Sequence, residues 1–452
     1  MTTELRREAL TAGRSERRGL GPDLIAVACG TGLAVAAALA GWQLIHEHVR
    51  LVLGFPPLLA RWMPHIGPGT VPAVLTAVVT VAWGPALATR LSWRLLLVTA
   101  YVTSVAWTLF LALVDGWSRG IANRLTKSGE FLPDLQRVHS IPAMLRQFSA
   151  HILTNQPYHW IPQVGAHPPG AFLAFLWLDR IGLGSGGATG VACILAGASA
   201  GIAVAVTLRE LGAETTARAA LPFLVLFPGA IWIGVSADGL FAGVLAWGVA
   251  LLAAGTAGRG WRRDLMALAG GLLLGYALYL SYGMVAAGLL PVVVAAAARA
   301  VRAALAAVLG AAAVVGAFTL TGFWWLTGYQ RTTVIYAWSV ARTRPYTYFI
   351  WADLAALVFV IGPAALAGLR RLAAHPRARP AAAGLLTGAA LIAVLASDVS
   401  GLSKGEVERI WLPFAVWLLT PCALLPSRSV RAWLCAQAVL ALLVNHLLLT
   451  AW

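Results

Sequence analysis

Apolar segments long enough to cross a membrane follow one another along almost the whole chain of 452 residues. A helix that spans the hydrocarbon core needs about 20 consecutive, mainly apolar residues. Only 11% of the residues are charged, about half the share of a soluble domain. The fourteen segments are 23–45, 70–88, 92–114, 168–183, 186–207, 218–235, 239–255, 265–281, 283–298, 303–322, 349–368, 380–397, 410–425 and 432–450. The sequence therefore predicts an all-α polytopic membrane protein.

Short basic clusters between these segments predict which side of the membrane each connection occupies. Lysine and arginine concentrate in short cytoplasmic loops. The clusters are an arginine-rich start before residue 23, Arg90 with Arg94, Arg209 with Arg218, Arg259 with Arg262 and Arg263, Arg299 with Arg302, Arg370 with Arg371, Arg377 and Arg379, and Arg428 with Arg431. This scatter accounts for the net charge of +16 without a nucleic-acid partner. We expect a cytoplasmic basic N-terminus over residues 1–22 and a single transmembrane bundle over 23–452.

The short segment 168–183 decides the topology. It begins at His167-Pro168-Pro169-Gly170 and ends in a glycine-rich turn, which favours a re-entrant or short helix. About 13 crossings then put every basic cluster inside and the C-terminus outside. The loops that become external are 46–69, 114–167, 236–238, 323–348 and 398–409. In the longest of them, 114–167, the apolar pattern of 121–125 and 141–152 predicts short surface helices at the membrane.

An acid at the membrane boundary and two histidines mark the ends of this long loop. Asp115 stands where the third segment ends, and an ionisable residue at such depth is a functional candidate. The alternatives are a pair with Arg119 or a helix cap. His159 lies between two aromatic residues, and His167 precedes the two prolines. His167 has a simpler interpretation as part of a helix-start signal.

Together these residues resemble a known superfamily of membrane enzymes. An acid and a following basic residue (here Asp115 and Arg119) open a long external loop, which closes on a basic residue before Pro-Pro (here His167). This pattern is similar to that of the GT-C glycosyltransferases, above all protein O-mannosyltransferases and lipid A aminoarabinose transferases. Those families have a second acid where this chain has Gly116, and leucine where it has Gly170. They also lack the two helices that here precede the loop's own helix.

The resemblance implies a reaction as well as a fold. It implies a GT-C-like bundle in the cytoplasmic membrane and inverting transfer of a sugar from a polyprenyl-phosphate donor to a glycan, lipid or protein acceptor on the external face. Asp115 would act as general base. Such families are also similar in carrying an Asp in the second short external loop, where this chain has Asp238. Asp238 has the alternative role of a helix cap.

The remaining charges of the external loops predict a phosphate site. Arginine is suited to binding phosphate through two hydrogen bonds. The candidates are Arg331, Arg342, Arg344, Lys404 and Arg409, with Glu408 orienting them. A structural pair between Glu408 and Arg409 is the alternative. Aromatic residues in 323–348 are typical of an interfacial belt.

No nucleotide-binding loop or zinc motif occurs in the sequence. We expect no cofactor, although a divalent metal is not excluded.

The competing hypothesis is a lipid or solute transporter that binds a phospholipid headgroup without catalysing a reaction. Transporters often show two related halves, and the arrangement from Asp115 to His167 occurs once. That single occurrence favours the enzyme. A third hypothesis, which the missing second acid supports, is a subunit that has lost activity.

Overall fold

The architecture is that of a helical bundle with membrane-spanning helices. The structure, a computed structural model, describes residues 3–258, 260–374 and 381–451, and only the main chain of 3–18. The basic residues Arg259, Arg377 and Arg379 lie outside the described residues. In the described ranges nine helical spans are long and apolar enough to cross a membrane. The predicted all-α membrane protein is thereby confirmed in its coarse form.

The helices follow the apolar segments closely, because the hydrophobic pattern sets where helical backbone can enter lipid. The α-helices are α1 Thr3–His46, α2 Thr70–Arg90, α3 Trp93–Val114, α4 Ile141–Gln147, α5 Pro162–Gly165, α6 Pro169–Arg180, α7 Gly186–Ala198, α8 Ala200–Glu210, α9 Glu214–Val225, α10 Ala230–Ile233, α11 Ala237–Thr256, α12 Trp261–Leu278, α13 Leu289–Ala298, α14 Val301–Leu320, α15 Trp325–Trp338, α16 Tyr346–Ala374, α17 Ala381–Val399, α18 Val407–Ile410, α19 Leu412–Ala415 and α20 Val430–Leu447. The nine spans are Gly19–His46 of α1, α2, α3, α7 with α8, α11, α14, α16, α17 and α20.

Shorter helical pieces and one strand pair complete the fold. The 3₁₀ helices are Leu132–Arg137, Phe148–His151, Tyr282–Gly288, Val340–Arg342 and Val416–Leu424, and Ser118–Ala122 is a π-helix. The strands β1, Ala60–Trp62, and β2, Leu448–Thr450, pair antiparallel. This pair, which the sequence did not predict, joins the chain's C-terminal end to the loop before α2.

Small residues let the helices pack closely where α12 meets α14. A Cβ atom on Gly271 would lie 2.0 Å from the carbonyl oxygen of Ala307, and one on Gly310 would lie 2.4 Å from that of Leu268. Without a hydrophobic force between helices in lipid, such close backbone contact supplies much of the attraction. The alanine- and glycine-rich composition thus has a direct packing role.

One long helix is interrupted inside the bundle. The predicted segment 349–368 lies within α16, which breaks at Gly362 (φ 75°), just before Pro363. The side chain of Gln437 satisfies the freed backbone groups. Its Nε2 donates to the carbonyl oxygen of Ile361 at 2.9 Å, and its Oε1 accepts from the nitrogen of Ala364 at 3.2 Å. Buried irregular backbone is tolerated in a membrane bundle when it is satisfied in this way.

The described basic clusters gather at one end of the bundle. Arg218 donates to the carbonyl oxygens of Ala88 and Leu91 at 2.9 and 3.0 Å. Arg209 and Glu214 pair at 3.0 Å. Contacts link the neighbouring connections in the same way, through Arg263 with Glu210, Arg302 with Asp264, and Arg370 and Arg371 with Asp23. These contacts join the connections around Arg218, Arg263 and Arg302 to one another, and separately join the start of the first span to the end of α16.

The helices of the long loop pack on protein. Ile121, Phe148 and Ile152 are fully buried, and Phe148 stacks on Trp160 with ring centroids 5.3 Å apart. The pattern that predicted helices at the membrane surface thus reflects, at least in these side chains, contact with the rest of the loop and the bundle.

Segment 168–183 appears as α6, whose twelve residues reach about 18 Å at 1.5 Å per residue. That length is shorter than the roughly 30 Å hydrocarbon core.

Candidate functional site

The five loops that the sequence predicts to be external meet at the end of the bundle opposite the basic clusters. Hydrogen bonds cross between them at several points. Loop 46–69 is joined to 398–409 by Leu59 and Glu408, and to 114–167 by His65 and Asp115. Loop 236–238 is joined to 398–409 by Asp238 and Arg409. We call this region the polar end.

Asp115 is held by positive groups from two loops. It directly follows the last residue of α3 and is nearly buried. Its Oδ1 accepts from His65 Nε2 at 2.8 Å, and its Oδ2 accepts from Arg124 at 2.7 Å. Arg119, half exposed, lies 3.6 Å from Oδ1. The predicted contact between Asp115 and Arg119 therefore exists, but two shorter contacts that the sequence missed accompany it.

His65 makes a second contact that fixes the orientation of its ring. Its Nδ1 lies 2.6 Å from the carbonyl oxygen of Met63, and its Nε2 faces Asp115. A carbonyl and a carboxylate only accept, so both contacts are hydrogen bonds when the ring carries a proton on each nitrogen. The two contacts hold the His65 ring beside the Asp115 carboxylate, opposite Arg124.

Arg124 ties this cluster to the end of the chain. It is buried, and it donates to the carbonyl oxygen of Thr450 at 2.9 Å. Burial lowers the pKa of Arg124, and the nearby Asp115 carboxylate counters that effect. Because Thr450 belongs to β2, the β1–β2 pair holds Arg124 and His65 in place around Asp115.

A second cluster is a chain of alternating charges from three loops, which we call the Asp238–Arg409 chain. Asp238 Oδ2 accepts from Arg409 at 2.6 Å, Arg409 also donates to Glu406 at 2.9 Å, and Glu406 lies 3.4 Å from Arg344. Ser236, two residues before Asp238, caps α11 by accepting from the nitrogen of Gly239. The alternative role of Asp238 as helix cap is therefore taken by Ser236.

Arg409 carries its charge in a buried position. Burial lowers the pKa of Arg409, but the carboxylates of Asp238, Glu406 and Glu130 oppose it and raise the pKa above its ordinary value. Removing one partner of such a buried pair leaves an uncompensated charge. The chain of charges is thus a structural element of the polar end as well as a candidate site.

Glu130 is an acid of this cluster that the sequence did not single out. It is buried, and burial raises its pKa to about 7, while Arg409 and Lys127 oppose the shift. A carboxyl group with a pKa near neutrality is suited to proton transfer. The neighbouring residues, Lys127 to Phe131, gave no sign in the sequence that this acid is buried.

His167 lies beside the same charges. Its ring packs near Phe131 and Phe241, with centroids 5.5 and 5.8 Å away, and its Nδ1 lies 2.7 Å from the carbonyl oxygen of Gln163. Burial lowers the pKa of His167, an effect that Asp238 opposes. A neutral ring at this position shapes the cluster without adding charge to it.

Glu408 connects the loop before α2 to the run 403–409. Its Oε1 accepts from the main-chain nitrogen of Leu59 at 2.9 Å, while within the described residues its Oε2 has no hydrogen-bond partner. Burial raises the pKa of Glu408 to about 7. Arg409, whose contacts with Asp238 and Glu406 are described above, opposes this shift of the Glu408 pKa.

The other predicted phosphate ligands differ in which protein oxygens their side chains already donate to. Lys404 donates to the carbonyl oxygens of Ala341 and Arg344 at 2.5 and 2.9 Å. Arg344 donates to Leu51 at 2.9 Å and is buried. Arg331 donates to the carbonyl oxygen of Ser149, away from the Asp238–Arg409 chain.

Two further predicted residues lie nearer the surface. Arg342 is exposed, and His159 is partly buried, with its carbonyl oxygen accepting from Arg137 at 3.0 Å. The structure thus brings His167, Asp238, Arg344, Lys404, Glu408 and Arg409 together, with Asp115 and Arg119 in the neighbouring cluster. In the part of the chain that the structure describes, no group of three His, Cys, Asp or Glu side chains is arranged to hold a metal ion.

We expect Glu130 to make stability depend on pH. With a folded pKa near 7 and an ordinary value of 4.5, the folded protein binds the extra proton between these values, so the free energy of unfolding falls as pH rises across that window. The loss is at most about 3 kcal/mol. Glu130→Gln removes this contribution, and melting temperatures measured in detergent from pH 4.5 to 7.5 test it.

Glu408 titrates in the same window, so Glu408→Gln alone and the double variant serve as controls. We expect the double variant to show the flattest profile. An unchanged slope in Glu130→Gln would contradict the burial of an ionisable Glu130 in the folded protein.

Comparison with known proteins gives no family assignment. No protein-family model matches the chain, and no curated protein matches it significantly. Its function is therefore argued from the geometry of the polar end.

Proposed function

We propose that the chain is a membrane glycosyltransferase of the GT-C type, which transfers a sugar from a polyprenyl-phosphate donor to an acceptor at the polar end. The observation that carries this proposal is the convergence of five separate loops on one end of the bundle, the fifth (323–348) being joined to 398–409 by Arg344 and Lys404. They supply an acid at the boundary of an apolar helix, a second acid and several arginines, which is the combination that such a transfer needs.

The proposed topology follows from the two ends of the bundle. We propose thirteen crossings, with α6 entering from the polar end without crossing. Since the opposite end carries the basic clusters, the positive-inside rule makes the polar end external in the cytoplasmic membrane. A donor lipid then presents its phosphate at the depth where Asp115 and Arg119 lie.

In the proposed reaction Asp115 acts as general base. The acceptor hydroxyl oxygen attacks the anomeric carbon, its proton passes to the Asp115 carboxylate, and the bond from the anomeric carbon to the phosphate oxygen breaks. The polyprenyl phosphate leaves with the electron pair. A carboxylate offers about four lone-pair positions. The short contacts with His65 and Arg124 therefore leave capacity for the acceptor hydroxyl while fixing the group's orientation.

The positive groups divide into two roles in this proposal. Arg344, Lys404 and Arg409 donate to protein oxygens, so they shape the site. Arg119 and Arg342 have exposed guanidinium groups that are available to the departing phosphate. A charge-assisted hydrogen bond from arginine stabilises the negative charge that develops as the glycosidic bond breaks.

A transporter is the second candidate, and one observation favours it. Two apolar segments are interrupted, with breaks after Val225 and at Gly362. Discontinuous helices are typical of binding sites in secondary transporters. The two hypotheses differ in whether a covalent bond of the donor breaks.

The experiment uses bacterial membranes with and without the expressed chain. A radiolabelled polyprenyl-phosphate sugar is supplied, and we expect the label to move to a non-donor product only when the chain is present. Donor that crosses the bilayer with its sugar still attached would favour the transporter. A cysteine placed at 155, an exposed position of loop 114–167, should react with an impermeant reagent from outside, and labelling from the cytoplasm alone would overturn the proposed sidedness.

A further inference from the structure

A groove of about 710 Å³ runs from the polar end along α7. At its mouth lie residues of the segment that follows Asp115, among them Trp117 and Asn123. Further down, α7 supplies the floor. The lining residues are Trp117, Ala122, Asn123, Thr126, Leu183, Ser185, Gly186, Gly187, Ala188, Val191, Ala192 and Leu195.

The floor of the groove follows one face of α7. Ala188, Val191, Ala192 and Leu195 are spaced i, i+3, i+4 and i+7, which places them in a row on one side of a helix. From Ala188 to Leu195 the row descends about 10 Å at 1.5 Å per residue. All four side chains are apolar, whereas the polar side chains of the groove are Asn123, Thr126 and Ser185. The groove is thus apolar at membrane depth and polar at its mouth.

Two glycines create the mouth. A Cβ atom on Gly186 would lie 2.0 Å from the carbonyl oxygen of Ala122, and one on Gly187 would lie 2.8 Å from the Trp117 ring. The absence of side chains therefore allows the π-helix Ser118–Ala122 to approach the start of α7 closely. Trp117, which is 53% exposed, forms the rim at the level where amphipathic rings are favoured.

We infer that this groove holds the isoprenoid chain of a polyprenyl phosphate. The inference rests on the proposed function and assigns the donor's lipid to a place that the loop arginines alone did not indicate. The floor of the groove is built of alanine, valine and leucine side chains, which suits an apolar chain, and Arg119 beside the mouth suits an anionic head.

The phosphate of such a lipid would lie beside Arg119 and close to Asp115. Arg119 is half exposed and lies in the same π-helix, between the lining residues Trp117 and Ala122. It stands 3.6 Å from Asp115. An anionic phosphate at the mouth therefore has a cation beside it and the proposed base in the adjoining cluster. Charge at the mouth and apolar lining below it match an amphiphile with an anionic head.

Photolabelling of the purified full chain in nanodiscs tests the inference. The probe is decaprenyl phosphate with a diazirine on its chain, compared with phosphatidylcholine that carries a diazirine on one acyl chain. We expect the decaprenyl probe to label residues 188–195. Unlabelled decaprenyl phosphate should compete and unlabelled phosphatidylcholine should not.

Filling the groove should remove the labelling. We expect Ala192→Trp to lower it about tenfold, which corresponds to about 1.4 kcal/mol of binding free energy. Ala188→Leu is a milder second variant in case the first fails to fold. Val308→Trp on α14 is the matched control, because Val308 is exposed on another apolar span and the same residue is introduced there.

The outcomes separate this inference from the proposed function. Labelling of 188–195 without sugar transfer by the wild type would leave the groove assignment standing and count against the enzyme. Sugar transfer with the label elsewhere would overturn the groove assignment. Equal labelling by the phosphatidylcholine probe would overturn it in favour of bulk lipid, and a specific cross-link between cysteines at 191 of two copies, without lipid labelling, would overturn it in favour of a dimer contact.

Discussion

Replacing Asp115 by asparagine should lower sugar transfer by a factor of about 10²–10⁴, the usual contribution of a positioned general base. Asparagine keeps the shape of the side chain but cannot take the proton of the acceptor hydroxyl, and its amide nitrogen cannot accept one of the two hydrogen bonds with His65 and Arg124. The measurement is the initial rate of transfer from a radiolabelled polyprenyl-phosphate sugar by purified protein. Arg119→Gln should have a smaller effect, because Arg119 assists the leaving phosphate and does not accept the proton.

Asp134→Asn is the matched control for this variant. Asp134 is a buried acid of the same loop that pairs with an arginine, Arg137, at 2.7 Å, and its Oδ2 accepts from the nitrogen of Ile161. Its loss disturbs the loop without touching the proposed chemistry. Rates are compared only for variants that keep the wild-type melting temperature within a few degrees. A well-folded Asp115→Asn protein with wild-type transfer would rule out Asp115 as the base.

Replacing Arg409 by leucine should lower the free energy of unfolding by about 3–5 kcal/mol, because it leaves buried carboxylates without their positive partner. The side chains of Arg409 and Asp238 are both less than a tenth exposed, and their contact is 2.6 Å. The exposed pair of Arg302 with Asp264 is the control, and Arg302→Leu should have a much smaller effect, because solvent screens an exposed pair. Thermal unfolding in detergent measures both.

The double variant Asp238→Leu/Arg409→Leu makes this prediction specific. Removing both charges leaves no unpaired partner from this contact, so we expect the double variant to lose less stability than the sum of the two single changes. Strictly additive losses would show that the Asp238–Arg409 contact contributes little, and the interpretation of the charge chain as a structural element would fail.

The helices were largely predictable from the sequence, because lipid requires a long apolar run for each span. Segment 92–114, for example, differs from α3 by one residue at its start. The break of α16 was not predictable in the same way. It depends on Gln437, which lies 73 residues beyond Ala364 and fills the gap only after the bundle has formed.

The candidate site was predictable as a collection of loops and not as a set of contacts. Charge sidedness grouped the loops that carry Asp115, Asp238 and Arg409, and these loops do meet. The partners were missed, since His65 is 50 positions from Asp115 and Arg409 is 171 positions from Asp238. Glu130 was missed because nothing in its local sequence distinguishes a buried acid from an exposed one.

The most direct test of the proposed activity is a mass balance with the purified wild-type chain in proteoliposomes. A donor labelled separately in its sugar and in its polyprenyl phosphate is incubated with an extract of candidate glycan, lipid and protein acceptors. We predict that one polyprenyl phosphate is released for each sugar that becomes bound to an acceptor, and that Asp115→Asn reduces both together. A donor that stays intact, whether it remains in place or crosses the bilayer whole, would contradict the glycosyltransferase.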